Sequence, residues 1–278
     1  MEELTPIECM IPESRIVVFA PHYDDTLFML GNCALIWKTA NIAKKIRVLL
    51  VFSRSNYLQG SGSGNYDTSL SRQKLATGNR ILEDAECLDE LFGRFQYRYE
   101  LLGESECFVR AKPFADDAME FPHGMFPDFD DEDWQIFNRM KALINAWGSR
   151  EDTALVFPLA IKEHIDHFII REAAVQAAAA LGKTAKASFY FQEDKPYGGI
   201  ANEAELERLS NFIASHPLER RIYRAEPERI VDLAFTHYPS QVEPLYETGI
   251  MDRAKALQSE YGLDTPCDQL YRYTLTGD

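Results

Sequence analysis

Residues 15–26 read Arg-Ile-Val-Val-Phe-Ala-Pro-His-Tyr-Asp-Asp-Thr, an apolar, β-branched run that passes directly into a polar loop. The apolar half, Arg15–Ala20, lacks the alternation of apolar and polar residues that marks a half-exposed strand. It therefore predicts a short strand that is buried on both faces, as in the middle of a parallel sheet. The polar loop would start at the carboxyl end of that strand, where sheets of this kind bind their ligands.

Strand and helix patterns alternate along the first two thirds of the chain. Further apolar strand patterns occur at residues 46–52, 95–102, 154–159 and 187–192. Amphipathic or alanine-rich helix patterns occur at residues 27–39, 70–91, 130–147 and 167–181. This alternation predicts an α/β, Rossmann-like fold, in which a mainly parallel sheet carries helices on both faces.

The last third of the chain is more polar and less regular. It contains a helix pattern at residues 203–215, a short strand pattern at 221–225 and further helical stretches up to residue 261. We expect residues 1–200 to form the α/β core and residues 201–278 a small C-terminal helical appendage packed on it. The length of 278 residues is compatible with one structural domain.

Composition and charge narrow the range of functions. The chain has 29 lysines and arginines against 44 aspartates and glutamates, and its net charge of −15 repels nucleic acids and anionic membranes. Its five cysteines are odd in number and form no Cys-x-x-Cys pair, which favours a reducing compartment. No secretory signal or bilayer-spanning apolar run is apparent. We expect a cytoplasmic protein whose partner is a soluble small molecule.

Two clusters of metal-binding side chains directly follow apolar strand patterns. One follows Arg15–Ala20 and the other follows the strand pattern at residues 154–159; their members are His22, Asp24, Asp25, His164, Asp166 and His167. If the two strands are neighbours where the strand order reverses, both loops face one crevice. Two histidines and a carboxylate that leave one position open form a catalytic zinc site, and the remaining groups can transfer protons. The alternative is that these residues only cap the following helices.

The two clusters resemble the signature of the LmbE/PIG-L family of zinc-dependent N-deacetylases, a P-H-P-D-D-E-like loop after the first strand and a later H-x-D-H. The matching positions are Pro21, His22, Asp24, Asp25, His164, Asp166 and His167. Weaker similarity extends along most of the chain. Arg80 and Glu83 resemble the family's R-x-x-E, residues 189–197 resemble a Y-x-E-D-x-P-Y stretch, and residues 238–241 resemble a Y-x-S-Q stretch.

The resemblance implies a hydrolase that removes an N-acetyl group from an amino sugar or a sugar conjugate. It implies three metal ligands, His22, Asp25 and His167, for zinc, although the same ligand types also suit iron. By the same resemblance, Asp24 acts as the general base on water.

The remaining roles implied by the resemblance concern the leaving group and the substrate. His164 would stabilise the oxyanion and protonate the leaving amine, with Asp166 holding its imidazole charged and oriented. Arg80 and Tyr197 would contact the substrate.

Two positions depart from the family pattern. Tyr23 stands where the family has proline, and Thr26 replaces the glutamate that normally follows the two aspartates. Two other functions therefore stay open: a metal-bearing carbohydrate-binding protein without turnover, and an amidase that acts on a non-sugar acylated metabolite.

Two other stretches invite functional interpretations. The glycines at residues 60–64 lack the spacing of a dinucleotide-binding loop and favour a lid over the crevice. The acidic stretch at residues 115–133 lacks the spacing of a calcium-binding loop and favours a solvated insertion that ends in a helix cap. Within it, His123 lies in an apolar segment that could line the substrate entrance.

Overall fold

A computed structural model describes residues 3–61, 65, 67–112 and 124–275. Within these ranges the strands are β1 (Arg15–Ala20), β2 (Lys45–Leu50), β3 (Tyr97–Leu101), β4 (Thr153–Pro158), β5 (Ser188–Gln192), β6 (Leu218–Arg224) and β7 (Cys267–Tyr273). They form one sheet in the order β3-β2-β1-β4-β5-β7-β6. All pairings from β3 to β5 are parallel, whereas β7 runs antiparallel to both of its neighbours. The predicted α/β, mainly parallel fold is confirmed.

Helices connect most of the strands. They are α1 (Ile7–Met10), α2 (Asp25–Thr39), α3 (Leu70–Phe92), α4 (Asp131–Gly148), α5 (Ile165–Leu181), α6 (Tyr197–Ile200), α7 (Glu203–Ser215), α8 (Pro227–His237) and α9 (Pro244–Tyr261). Short 3-10 turns occur at Phe126–Asp128 and Gly182–Thr184. None of the helices in the described part of the chain is long and apolar enough to cross a bilayer.

Strand β1 is apolar because both of its faces are covered. Val17 and Phe19 pack into the core formed with α4 and α5, whereas Ile16 and Val18 pack on the opposite face against α2. A strand buried on both sides reads as a continuous apolar run rather than an alternating one. This physical reason explains why the pattern of residues 15–20 identifies the centre of the sheet.

The strand order reverses at β1. Strands β2 and β3 lie on one side of β1, and β4 and β5 lie on the other, with Arg15 in register with both Lys45 and Thr153. The loops that leave the carboxyl ends of β1 and β4 therefore lie side by side. A crevice forms where neighbouring crossovers diverge to opposite sides of a sheet. The predicted adjacency of the two metal-binding clusters rests on this pairing.

The structure corrects the expectation for the C-terminal segment, which is not only a helical appendage. Strand β7, which the sequence pattern did not predict, inserts between β5 and β6 and extends the sheet. Its buried residues include Asp268, which pairs with Lys195 at 2.6 Å, and Gln269, which accepts a hydrogen bond from Tyr261 at 2.6 Å. Because these polar side chains are buried with partners outside the strand, they interrupt the apolar pattern by which a buried strand is recognised in a sequence. The division at residue 200 stays a prediction.

The two stretches outside the core patterns fall partly outside the described residues. The predicted lid includes residues 62–64, and the acidic stretch includes residues 115–123 with His123; these residues lie outside the described ranges. The end of the acidic stretch is described: Asp130 caps α4 by accepting hydrogen bonds from the backbone N–H groups of Glu132 and Asp133. This cap agrees with the helix start that the sequence predicts there.

Stability should depend on pH through Asp84, a fully buried residue of α3. Its carboxyl group accepts hydrogen bonds from Tyr99 at 2.6 Å and Tyr238 at 2.7 Å, and burial raises its pKa to about 8. In the unfolded chain the pKa of an aspartate is about 3.9, so between about pH 4 and 8 Asp84 holds a proton in the folded state but not in the unfolded state. The free energy of unfolding therefore falls as the pH rises through this window, by at most about 1.4 kcal/mol per pH unit.

Asp84→Asn keeps the shape and removes the titrating group, so the free energy of unfolding of this variant should change less between about pH 5 and 8 than that of the wild type. Denaturant unfolding at several pH values measures the difference. Glu86→Gln, an exposed acid on the same helix, is the control. Equal pH dependence in the wild type and Asp84→Asn would contradict this role.

Candidate metal centre and active site

Each cluster of candidate residues lies between a strand end and a helix start. Strand β1 ends at Ala20 and α2 begins at Asp25, with Asp24 at the N-cap position. Strand β4 ends at Pro158 and α5 begins at Ile165, with His164 at the N-cap. Both helices begin two residues earlier than the sequence pattern predicts. The short connections hold the polar side chains at the mouth of the crevice.

Three of the candidate residues form a compact set of ligand atoms. Nδ1 of His22, Oδ2 of Asp25 and Nε2 of His167 lie 3.3 Å from one another in all three pairings. Ligands about 2.0–2.1 Å from a tetrahedral zinc ion lie about 3.3–3.4 Å apart. The three atoms thus match one face of a zinc coordination tetrahedron. Nε2 or Nδ1 of His164 also lies within 4.8 Å of the other two histidines, but the set with Asp25 is tighter.

Two further carboxylates hold the proposed histidine ligands. Oδ2 of Asp166 lies 2.9 Å from Nε2 of His22, and Oδ2 of Asp194 lies 2.8 Å from Nδ1 of His167. In each case the carboxylate contacts the ring nitrogen that does not face the proposed ion. Such contacts fix the tautomer and orientation of a ligating imidazole.

The position of Asp166 differs from the role that the sequence interpretation assigns to it. Its carboxylate bonds to the ring of His22, to the backbone N–H of Cys107 at 2.9 Å and to Nη2 of Arg110 at 2.7 Å. Towards His164 it offers its backbone N–H, which donates to Nδ1 at 3.2 Å. Asp166 therefore orients His22 through its side chain and His164 through its main chain.

The electrostatics of the centre favour positive charge between the carboxylates. Burial by itself lowers the pKa of the two imidazoles, but Asp166 and Asp25 raise the pKa of His22 to about 9, and Asp25 and Asp194 raise that of His167 to about 10. Despite burial, the histidines hold the pKa of Asp25 well below its usual range. A divalent cation that displaces the ring protons would satisfy the same field.

Asp24 and His164 flank the proposed ligands in the same cleft. Burial, together with the charge of Asp25, raises the pKa of Asp24 to about 6. Burial and the neighbouring ring of His22 lower the pKa of His164 well below its ordinary value. The structure thus favours a neutral His164 rather than the charged ring that the resemblance implies.

Arg80 and Tyr197, the two predicted substrate contacts, also line this cleft. The guanidinium of Arg80 is buried and donates to Glu106 at 2.8 Å and to Oε1 of Gln241 at 2.7 Å. Tyr197 packs its ring edge-on against His167, with ring centroids 5.9 Å apart. The structure therefore brings all eight sequence-predicted site residues to one cleft or to its immediate support.

The two weaker family motifs meet in the structure. Glu83 accepts hydrogen bonds from the backbone N–H of Ser240 at 2.9 Å and from Nε2 of Gln241 at 2.7 Å, and Gln241 accepts one from Arg80. The segment at residues 238–241 thus contacts α3 and helps to fix Arg80 at the cleft.

The two departures from the family pattern have different surroundings. Tyr23 is fully buried, donates its hydroxyl to the backbone oxygen of Ser53 at 2.5 Å and packs its ring against Arg80. Its buried ring and hydroxyl group therefore anchor the loop that follows β1. Thr26 is also fully buried, and its hydroxyl oxygen has no hydrogen-bond partner within the described residues.

Sequence reasoning assigned no role to several residues of the centre, although two of them lie in the stretches that resemble family motifs: Asp194, Glu106, Cys107, Arg110, Gln241 and Tyr246. A signal existed for some of them. Asp194 follows β5, and Glu106 and Cys107 lie in the loop after β3, so all three belong to the edge where the strands end. The strand-end rule applied to these strands would have included them.

Comparison with solved structures identifies proteins of the same architecture. No protein-family model matches the chain, and no curated protein matches it by sequence. A teicoplanin deacetylase in its zinc-inhibited form is similar at a TM-score of 0.65 and 20% identity, over 95% of this chain and 99% of that one. An A40926 pseudoaglycone deacetylase is similar at a TM-score of 0.62 and 17% identity, over 96% of this chain and 100% of that one. The N,N'-diacetylchitobiose deacetylase from Pyrococcus horikoshii is similar at a TM-score of 0.52 and 13% identity, over 94% of this chain and 84% of that one.

The contact between Asp194 and His167 predicts a specific effect on metal affinity. Asp194→Asn should leave a site that still binds zinc but with a dissociation constant about 10–100-fold higher, because the imidazole loses its anionic partner. Competition with a chromophoric chelator measures the constant. Glu193→Gln is the matched control, since this equally buried neighbour faces Arg253 and Gln269 instead. An unchanged affinity in Asp194→Asn would exclude the proposed support.

Proposed function

We propose that this protein is a metal-dependent N-deacetylase of the LmbE/PIG-L type that hydrolyses the acetamide of an amino sugar or sugar conjugate. One observation carries the proposal: His22, Asp25 and His167 are spaced as zinc ligands, and they border a cleft that also presents Asp24 and His164. The structural similarity to deacetylases of sugar conjugates supports the same conclusion.

The proposed ligands fit zinc and also suit iron. A zinc ion held there would polarise the amide carbonyl and lower the pKa of a water molecule to about 7. The chain itself supplies the proton transfers. Asp24, whose carboxylate makes no cap bond to α2, takes the proton of the attacking water.

His164 is the proposed electrophilic partner. Because Nδ1 accepts the backbone N–H of Asp166, the proton of a neutral ring resides on Nε2. That N–H can donate a hydrogen bond to the oxygen that becomes negative during attack. The departing amine then takes the proton that Asp24 has removed from the water. Asp166 fixes the ring through its main chain, and Arg110 in turn anchors the Asp166 carboxylate.

The substrate class follows from the lining of the cleft. Aromatic rings of Tyr57, Phe108, Tyr197 and Tyr246 surround it, and Arg80 and Gln241 supply polar groups. Aromatic faces with a few directed polar groups suit a sugar ring. The net charge of −15 favours a soluble small molecule over a polyanion or anionic membrane, and a cytoplasmic location remains part of the proposal.

The metal site can be tested by composition. After dialysis against a weak chelator, the wild type should retain about one zinc or iron per chain, and His167→Ala should lose it because one of three protein ligands is gone. Elemental analysis measures the content. His216→Ala, a histidine that bonds to the backbone oxygen of Phe212, is the control. Metal-free wild type after expression with ample zinc and iron would overturn the hydrolase proposal.

The chemical role of Asp24 can be tested separately. Asp24→Asn should keep its metal but lose about 10²–10⁴-fold in hydrolysis, because the general base is removed. Acetate release from N-acetylglucosamine, N,N'-diacetylchitobiose, an N-acetylglucosaminyl glycopeptide and a non-sugar acetanilide measures activity and substrate class. Asp252→Asn, an exposed acid on α9, is the control.

Each alternative function has its own outcome in this experiment. Hydrolysis of the acetanilide alone would favour the amidase. Sugar binding without hydrolysis, with the same affinity in the wild type and Asp24→Asn, would favour the carbohydrate-binding protein.

A further inference from the structure

Cys107 lines the cleft but is not one of the three ligands proposed for the first ion. Its Sγ is 3.7 Å from Nε2 of His164, and both residues are buried, at 1% and 4% exposure. A sulfur about 2.3 Å and a nitrogen about 2.0–2.1 Å from one tetrahedral zinc ion lie about 3.6 Å apart. The spacing of thiol and imidazole is therefore that of two ligands of one ion.

A third ligand group is within reach of this pair. A carboxylate oxygen of Asp166 lies within 4.8 Å of both the thiol sulfur and a ring nitrogen of His164. The three residues come from two different segments, the loop after β3 and the start of α5. The cluster is therefore a product of the fold and not of a short local motif.

We propose that Cys107 and His164, with Asp166 as a third ligand, form a second metal position that takes a thiophilic divalent cation such as zinc or cadmium. This position uses none of the three ligands proposed for the first ion. On binding, the thiol releases its proton to solvent and the sulfur forms a bond to the cation. The ring proton of His164 moves from Nε2 to Nδ1, which gives up the hydrogen bond from the backbone N–H of Asp166, and Nε2 binds the cation. Thiolate ligands select zinc and cadmium over magnesium and calcium.

The charges around this position are mixed. The carboxylates near Cys107 are those of Glu106, in the same loop, and of Asp166, at the start of α5. The guanidinium of Arg110 contacts Asp166 at 2.7 Å. A first ion at His22 adds positive charge, since the His22 and His164 rings are only 4.9 Å apart. Like charges at short range oppose each other, so the second ion should bind more weakly than the first.

Occupancy of the second position would have a kinetic consequence. The cation would bind Nε2 of His164, the atom assigned to the oxyanion, and it would lie in the cleft. Excess zinc should therefore inhibit hydrolysis. This consequence rests on the proposed function, whereas the binding of the second cation does not.

The binding test uses protein loaded with one equivalent of zinc and then titrated with cadmium. All variants carry Cys9→Ser, because Cys9 is exposed and would bind cadmium by itself. The parent should take up a second ion and show the ultraviolet charge-transfer absorption of a cadmium–thiolate bond. Cys107→Ala should show neither. Cys87→Ala, which removes an equally buried thiol of α3, should behave like the parent.

Cys107→Ser, which keeps the shape of the side chain, guards against a folding defect in the alanine variant. It should lose the absorption and weaken binding of the second ion about tenfold or more, since a hydroxyl is a poor zinc ligand. Absorption that persists in both Cys107 variants, or a parent that binds only one ion, would overturn the proposal.

Inhibition by excess zinc provides a second readout. The ratio of hydrolysis rates with one and with many equivalents of zinc should fall about tenfold or more in the parent and in Cys87→Ala but stay near unity in Cys107→Ala. Cadmium binding that depends on Cys107 in a protein that hydrolyses none of the substrates would leave the second metal position intact and refute the proposed function. If excess zinc inhibits hydrolysis equally with and without Cys107, the second metal position is refuted and the proposed function is kept.

Discussion

The position of β1 between β2 and β4 is the constraint on which the centre depends. Parallel strands place their carboxyl ends at one edge, and the reversal of strand order opens a gap between the loops that follow β1 and β4. His22 and His167 come from these two loops, 145 positions apart in the chain, yet their ring nitrogens lie 3.3 Å apart. The apolar residues of β1 thus act on the chemistry indirectly, by fixing where two polar segments meet.

The second requirement is compensation of buried negative charge. Asp25, Asp166 and Asp194 are almost fully buried, and such carboxylates need cationic partners. Arg110 serves Asp166, but the remaining charge faces the rings of His22 and His167. Protonated rings or a divalent cation satisfy it, so the arrangement that orients the ligands also creates the demand for positive charge. Binding of the cation and release of the ring protons are linked for this reason.

The sequence predicts the core because periodicity reports burial, and it predicts the site because strand ends are privileged positions. It does not predict β7, since Asp268 and Gln269 are paired with Lys195 and Tyr261 and look solvent-exposed in a pattern of single residues. It also misplaces the side chain of Asp166, because the choice between His22 and His164 depends on side-chain direction. Asp194 follows β5 at the same edge of the sheet, but its contact with His167 depends on the pairing of β5 with β4, which a local pattern does not contain.

Helix capping and chemistry, which look like competing interpretations in the sequence, use different atoms here. His164 caps α5 with Nδ1, which leaves Nε2 directed elsewhere, and Cys107 meets that second nitrogen. Asp24 occupies the N-cap position of α2 but makes no side-chain cap bond, so its carboxylate remains available to the cleft. Capping preferences therefore explain why these residue types begin helices, but the atoms on which hydrolysis would depend are not used in capping. A two-ended side chain at a helix start can serve the fold and the site together.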